Sequence, residues 1–377
     1  MTFNKKLLAG LVALAAASSA QAVTVAANDG WTLGVSGLVN QFATFTDNGS
    51  NGDDTSEVRD GLLPAFLTFD ITAPTMNGLD IAAHISISPG TNTLAQQGAA
   101  LEQREVYFTV AGSFGQILAG KALGLYSSHN ILTDQTLFGV GWGTGANAQT
   151  TLGGIGLGYD YADWRSQVKW TSNDMNGFKV AVAVVDPQGN ALATAAGLTG
   201  PLSVLSNNSA ADSEDLRYEA DLSYAGAFDG GSYTAWLSGA VQDKSDQSAV
   251  AEDARYWTVG ATLVVGGFEA MAQYSDAEDT VGVVSVDTDA NGNGEWDQYL
   301  VQAGYRFAGT TLVSAQYAEL ESKSNATAND TSDKIVLGVY HDVNANLKLV
   351  AEYTKAEHDD ETRLDQDIFS LGGFVFF

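Results

Sequence analysis

The chain ends Asp367-Ile-Phe-Ser-Leu-Gly-Gly-Phe-Val-Phe-Phe377. Counting back by twos from the last residue gives Phe377, Val375, Gly373, Leu371 and Phe369. Successive side chains of a strand point to opposite faces, so these five share one face and make it apolar, with Gly373 the one gap. A single strand does not define a fold. Its repetition does.

The same period recurs throughout. Trp31, Leu33, Val35, Gly37 and Val39 alternate with Thr32, Gly34, Ser36 and Asn40, and Leu67, Phe69 and Ile71 with Thr68, Asp70 and Thr72. Ile81, Ala83, Ile85 and Ile87 face away from Asp80, His84, Ser86 and Ser88. Leu216, Tyr218, Ala220, Leu222 and Tyr224 oppose Arg217, Glu219, Asp221 and Ser223, and Tyr299, Val301, Ala303, Tyr305 and Phe307 oppose Gln302, Gly304 and Arg306. Sixteen such segments begin near residues 31, 60, 79, 102, 114, 164, 177, 215, 230, 254, 268, 297, 310, 333, 347 and 366.

The connections between them alternate in length. Pro74 to Gly78, Gly112-Ser113, Gly266-Gly267 and Asn344 to Asn346 are short, while Asp47 to Arg59, Asp186 to Glu214 and Asp279 to Asp297 are long. A soluble sandwich also alternates apolar and polar residues, but it has no reason to sort its loops by parity. The sorting predicts an all-β chain: a transmembrane antiparallel β-barrel of about sixteen strands, with short periplasmic turns and long extracellular loops. The sheet must close, because lipid cannot satisfy the hydrogen bonds of an open edge. Aromatics near strand ends, among them Trp31, Trp170, Tyr224, Trp257, Tyr274, Tyr305, Tyr317 and Tyr353, suit the two interfacial girdles of such a barrel.

At the other end, Lys5 and Lys6 precede an apolar run from Leu7 to Ala17 and a small-x-small site at Ala20-Gln21-Ala22. This reads as a cleaved signal peptide over residues 1–22; the run is too short for a retained membrane anchor. Residues 23–377 are then the barrel domain. Without Lys5 and Lys6, the 17 cations of the chain fall to 15 against 45 acids, a formal charge of −30. That charge excludes a nucleic-acid surface, which needs clustered cations. The chain has no cysteine, so disulfides and thiolate metal sites are excluded too.

The stretch from Arg104 to Lys121, with Phe114-Gly115 and Gly120-Lys121, resembles the fourth and fifth strands of the general, trimeric, sixteen-stranded porins of Gram-negative outer membranes. Trp164-Arg-Ser-Gln-Val-Lys-Trp-Thr-Ser-Asn173, followed by Met175-Asn-Gly-Phe178, is similar to that family's sixth strand and the turn into its seventh. The terminal stripe of Phe369, Leu371, Val375 and Phe377 resembles the signal read by the barrel-assembly machinery. The resemblance implies a homotrimer among outer-membrane lipid and lipopolysaccharide, passing ions and small hydrophilic solutes by passive diffusion. It also implies a third loop, from Ala122 to Asp163, folded into the lumen as a constriction, with Tyr126, Phe138 and Trp142 as its anchors.

A pore selects by the charges at its narrowest ring. Matched to the family, the wall cations are Arg59, Arg104, Lys121 and Arg165. Lys169 joins them because alternation puts it on the face of Arg165 and Gln167. Alternation groups Arg104 instead with Val106, Phe108 and Val110, against a lumenal side chain. The opposing loop acids are Asp134, Asp160 and Asp163; from Ala122 to Gly158 Asp134 is the only carboxylate, where the resemblance implies two or more. Most remaining acids fall in outer loops, where an anionic vestibule concentrates cations, so ion preference stays open.

No cofactor is required. One outer loop, with Asp287, Asp289, Asn291, Asn293 and Glu295 at alternate positions, is spaced as a calcium loop, although Gln298 stands where a bidentate Glu is usual. A barrel enzyme would need a nucleophile and a base, and none of His84, His129, His341 or His358 lies in a hydrolase motif. The alternatives are a substrate-specific porin, whose lumen would carry aromatics, and a structural or adhesive barrel, whose lumen would be plugged.

Overall fold

The computed structural model describes residues 23–25, 29–49, 53–91, 101–143, 151–186, 216–243, 253–280, 294–323, 330–359 and 365–377. Among these residues, sixteen staves form one antiparallel barrel. They are β1 (Thr32–Asp47), β2 in two pieces (Thr55–Arg59 and Phe66–Thr72), β3 (Asp80–Pro89), β4 in two pieces (Leu101–Glu102 and Val106–Gly112), β5 (Gly115–Leu123), β6 (Trp164–Thr171), β7 (Phe178–Val185) and β8 (Arg217–Phe228). The second half comprises β9 (Gly231–Gln242), β10 (Ala254–Val265), β11 (Phe268–Thr280), β12 (Gly294–Phe307), β13 (Thr311–Ser322), β14 (Asp330–Asn344), β15 (Leu347–His358) and β16 (Gln366–Phe376). Each stave pairs with its neighbours in sequence, and β1 pairs with both β2 and β16, which closes the cylinder. Val23–Val25 pairs with Leu33–Val35 just past the point where β16 leaves β1. No helix among the described residues is long and apolar enough to cross a membrane; the crossing elements are strands.

The turns explain the antiparallel order. Asn77-Gly78 and Asn176-Gly177 both have positive φ at the two central positions (54° and 76°, 58° and 96°), the backbone of a type I′ hairpin turn. Two-residue links at 113–114, 229–230, 266–267 and 345–346 keep that rim tight, while the links at the other rim run up to the span 186–216.

Alternation holds in most staves. Tyr218, Leu222, Val301, Tyr305, Leu371, Val375 and Phe377 are exposed, while Arg217, Glu219, Asp221, Leu300 and Gln298 point inward and are buried. The outward band carries two rings of aromatics. Trp170, Tyr224, Tyr233, Tyr305 and Phe307 lie near the short-turn rim, and Trp257, Tyr274, Tyr299, Tyr317 and Tyr353 near the other. Above the second ring, Tyr274, Tyr317 and Tyr353 donate their hydroxyls to Asp297, Glu319 and Asp367, where rings sit in the interface and carboxylates reach water.

Two staves are broken, and both breaks bear on the site. A continuous strand beginning near residue 60 is what the sequence predicts. Instead β2 stops at Arg59, and residues 60–65 turn into the lumen, where Asn40 donates to the Leu63 carbonyl and accepts from the Gly61 N–H. In β4, Glu102 pairs with Ser88 and Val106 with Ile85. Four residues on β4 thus span three on β3, a β-bulge that shifts the facing of side chains by one.

Candidate functional site

The strand β5 ends at Leu123, and β6 begins at Trp164 directly beside it, so the intervening chain must leave the wall and return to the same place. It does so inside the barrel. A short helix α1 (Ser128–Thr133), a 3-10 turn (Gln135–Phe138) and two short paired strands (Trp142–Gly143 and Thr151–Gly153) build this loop. Leu137, Val140, Trp142, Leu152, Leu157 and Tyr159 are all at most 4% exposed. They pack with lumenal wall residues Phe42, Trp236, Trp296, Leu300, Tyr340, Phe374 and others in one buried cluster. The lumen therefore has an apolar core, contributed jointly by loop and wall. Of the anchors expected from sequence, Tyr126 and Trp142 are buried, and Phe138 packs edge-on against Phe374 and Phe376.

Polar groups of the wall satisfy the loop backbone. Leu125 and Tyr126 donate N–H bonds of 2.6 and 3.2 Å to Glu219, which also accepts from Arg217. Val140 and Gly141 donate at 2.6 and 3.1 Å to Glu352. Asn130 accepts from the Trp236 indole and donates to Thr258, the Gln302 amide donates to the Thr133 carbonyl, and Lys334 donates to the Gly153 carbonyl at 2.5 Å. His129 stacks on Trp236 and lies 3.1 Å from Asp221. A loop with its backbone polar groups matched in this way can stay inside a packed lumen, since unmatched groups there would be costly.

Asp134 and Asp160 do not face a bore. Asp134 is 4% exposed and accepts from Tyr159, Thr136 and Gln316. Asp160 is 1% exposed and accepts from Tyr126, Trp296 and Gln298. Burial pushes the Asp160 carboxyl above the usual carboxylate range, against the pull of those three donors. Burial, with Asp160 alongside, pushes the Tyr126 hydroxyl up, and burial with Asp134 does the same to Tyr159. Asp163 accepts from the Trp164 N–H and stands 3.7 Å from Arg165.

The expected wall cations divide. Arg59 points inward, 4% exposed and 2.7 Å from Glu57. Arg165 is 1% exposed, behind the loop and beside Arg217. Lys169 is on the lumenal face, with Glu219, Asp221 and Glu105 acting on its charge. The expectation for Lys121 does not fit the register. Lys121 pairs with Ser166 and Val106 and shares its face with Ile117 and Val168, both exposed on the outside of the barrel. For Arg104, whose facing the sequence left open, the side chain lies inside the barrel. The bulge in β4 breaks the alternation that sent it outward; its guanidinium lies 5.8 Å from the rings of Phe66 and Trp164 and lines a small internal cavity with Leu62, Leu132 and Tyr161.

Glu105 is inward by ordinary alternation, two residues before Tyr107 on the same face. His84 Nε2 lies 3.3 Å from Glu105 and Nδ1 lies 2.7 Å from Asp70, with the ring stacked on Tyr107 at 4.8 Å. Sequence reasoning placed His84 on the lumenal face and missed this constellation, because alternation gives each side chain's face but not which strands lie side by side in register. Of the calcium-loop set, Asp287, Asp289, Asn291 and Asn293 lie outside the described residues, as does the expected signal segment 1–22. Glu295 is in β12, exposed, its carbonyl accepting from the Lys323 N–H. Phe369, Leu371, Val375 and Phe377 stand outward, 42–51% exposed.

A closed sixteen-stave barrel with an apolar outer band, aromatic girdles and an infolded third loop defines an outer-membrane channel. The sequence pattern of Gram-negative porins matches residues 8–361, and the chain belongs to that family. It is an outer-membrane channel for passive diffusion. No curated protein sequence matches it. Among solved structures it is similar to the anion-selective porin of Comamonas acidovorans (14% identity, TM-score 0.69, covering 92% of this chain and 100% of that one). It is also similar to OmpF of Salmonella typhi in complex with daunomycin (14%, 0.67, 94% and 100%) and to the outer-membrane protein OmpT of Vibrio cholerae (16%, 0.59, 94% and 100%). At such identities these likenesses concern the fold.

Proposed function

We propose that this porin is a general diffusion pore for ions and small hydrophilic solutes, narrowed by the loop between β5 and β6. The observation that carries the reading is the docking of that loop: its apolar side chains and backbone polar groups are committed to one sector of the wall, from β8 round to β16, β1 and the inward turn at residues 60–65. The bore is left to the opposite sector, where Asp70, His84, Glu105, Arg104 and Lys169 line the lumenal face. A substrate-specific pore would present aromatics to its solute. Here the lumenal Trp236 and Trp296 are 2% and 1% exposed, covered by the loop, which favours the general reading.

The remaining roles belong to the same proposal. Residues 1–22 are removed on export, and the outward Phe369, Leu371, Val375 and Phe377 serve recognition by the assembly machinery. The barrel works as a homotrimer in lipid and lipopolysaccharide and has no catalytic turnover. One of the similar Vibrio cholerae structures is described as a trimer form. Swelling of liposomes carrying the purified protein tests the reading with neutral sugars of graded size. Rates falling smoothly with solute size are expected; saturation by one sugar, out of order with its size, would favour a substrate-specific pore.

A further inference from the structure

The family resemblance set cations on the wall against acids on the loop, and the molecule departs from that polarity. Among the described loop residues, those with access to water are Leu132, Thr133, Phe138, Tyr161 and Asp163, and Asp163 is held by Trp164 and Arg165. Residues 144–150, Thr-Gly-Ala-Asn-Ala-Gln-Thr, bring no charge by sequence. The described part of the loop therefore presents the lumen with a largely uncharged face.

The wall carries the acids instead. The Asp70 side chain is 43% exposed and that of Glu105 is 20% exposed, with His84 held between them. By formal charge, two carboxylates outnumber the one imidazole between them. The nearby cations offset this only in part. The charge of Lys169 is shared among Glu219, Asp221 and Glu105, and the Arg104 guanidinium is turned over the rings of Phe66 and Trp164. The imidazole stacked on Tyr107 and bonded at both ends fixes the two carboxylates in place, so their field acts at one point along the bore.

We infer that Asp70 and Glu105, braced by His84, are the cation-selecting pair of this channel, favouring small inorganic cations over anions. The inference rests on the channel reading and adds its selectivity. A fixed charge some 7 Å from a permeating ion in water is worth roughly 0.6 kcal/mol, or about threefold in relative permeability.

The test is the reversal potential of the purified protein in planar bilayers across a potassium chloride gradient. The wild type is expected to favour potassium. The double variant Asp70→Asn, Glu105→Gln should lower the potassium-to-chloride ratio by about threefold or more, while Asp70→Glu keeps it. Thr72→Lys adds a cation two residues along the same lumenal face and should shift the ratio the same way, independently of how the double variant folds. An anion-selective wild type would overturn the inference, and so would a ratio unchanged in Thr72→Lys and the double variant. Absence of conductance in the wild type would instead count against the channel reading itself.

Discussion

Val140 and Glu352 are separated by 212 residues in the chain, yet the Val140 N–H donates to Glu352 Oε2 across 2.6 Å inside the barrel. Gly141 donates to the same oxygen, and the Tyr340 hydroxyl to the other. The carboxylate is 2% exposed, so it stands in for the water that would otherwise solvate a turn of the constriction loop.

Glu352→Ala removes that acceptor and leaves two buried N–H groups without a partner, at about 1–3 kcal/mol each. A lower melting temperature in detergent and noisier single-channel currents are expected. Glu352→Gln keeps an acceptor oxygen and should recover most of both. Currents as quiet as wild type in the alanine variant would show that the loop does not depend on this contact.

Gly139 sits against the same carboxylate. A Cβ built there would come within 1.9 Å of Glu352 Oε1 and 2.3 Å of its Cδ, closer than any real contact. Gly139→Ala should therefore displace loop or side chain and mimic Glu352→Ala in both conductance noise and melting. Unaltered behaviour would contradict the tight seat.

Lys334 is fully buried, donates to the Gly153 carbonyl, and feels the charges of Asp134 and Glu352. Removing one member of a buried charge group is costly, about 3–5 kcal/mol, because the others lose their counter-charge. Lys334→Met should destabilise the folded barrel by that order in equilibrium unfolding. The double variant Lys334→Met, Asp134→Asn should lose less than the sum of the singles, as expected of coupled neighbours.

The buried Asp160 gives the loop a pH dependence. Its carboxyl is held above the usual range when the loop is docked and returns to that range when the loop is released. Between those two values the docked state binds more protons, so docking is favoured below the window and weakens as pH rises through it. Chymotryptic cleavage within the loop should speed up as pH rises across that window, after correction for the enzyme's own profile. Asp160→Asn should flatten the dependence.

Lys121 and Arg104 make opposite predictions. Lys121→Gln alters a residue on the outer face and should leave ion selectivity unchanged. Arg104→Gln removes a lumenal cation and should raise the preference for potassium. Reversal potentials separate the two; a shift with Lys121→Gln would place that side chain in the bore.

The outer surface of the barrel was legible because lipid imposes one rule on every stave. Tyr218, Val301, Leu371 and Val375 occupy the outward positions that period two assigned them. The inner surface obeys no such rule. Phe374 and Phe376 alternate with the outward stripe, and period two alone would make them polar. They are apolar because Phe138, more than 200 residues earlier, packs on them. The inward turn of Asp134 and Asp160 is likewise a product of docking with Gln316, Trp296 and Gln298 from distant staves. Glu105 faces the lumen by alternation with Tyr107, but Arg104 joins it there because of a single extra residue in β4, which shifts facing without changing composition.

The central physical claim is that this wall and its docked loop leave a continuous aqueous path. Single-channel recording in planar lipid bilayers tests it most directly. The account predicts discrete, stable current steps that scale with salt concentration once the folded barrel is inserted. A bilayer that stays silent while holding inserted, heat-modifiable protein would contradict it.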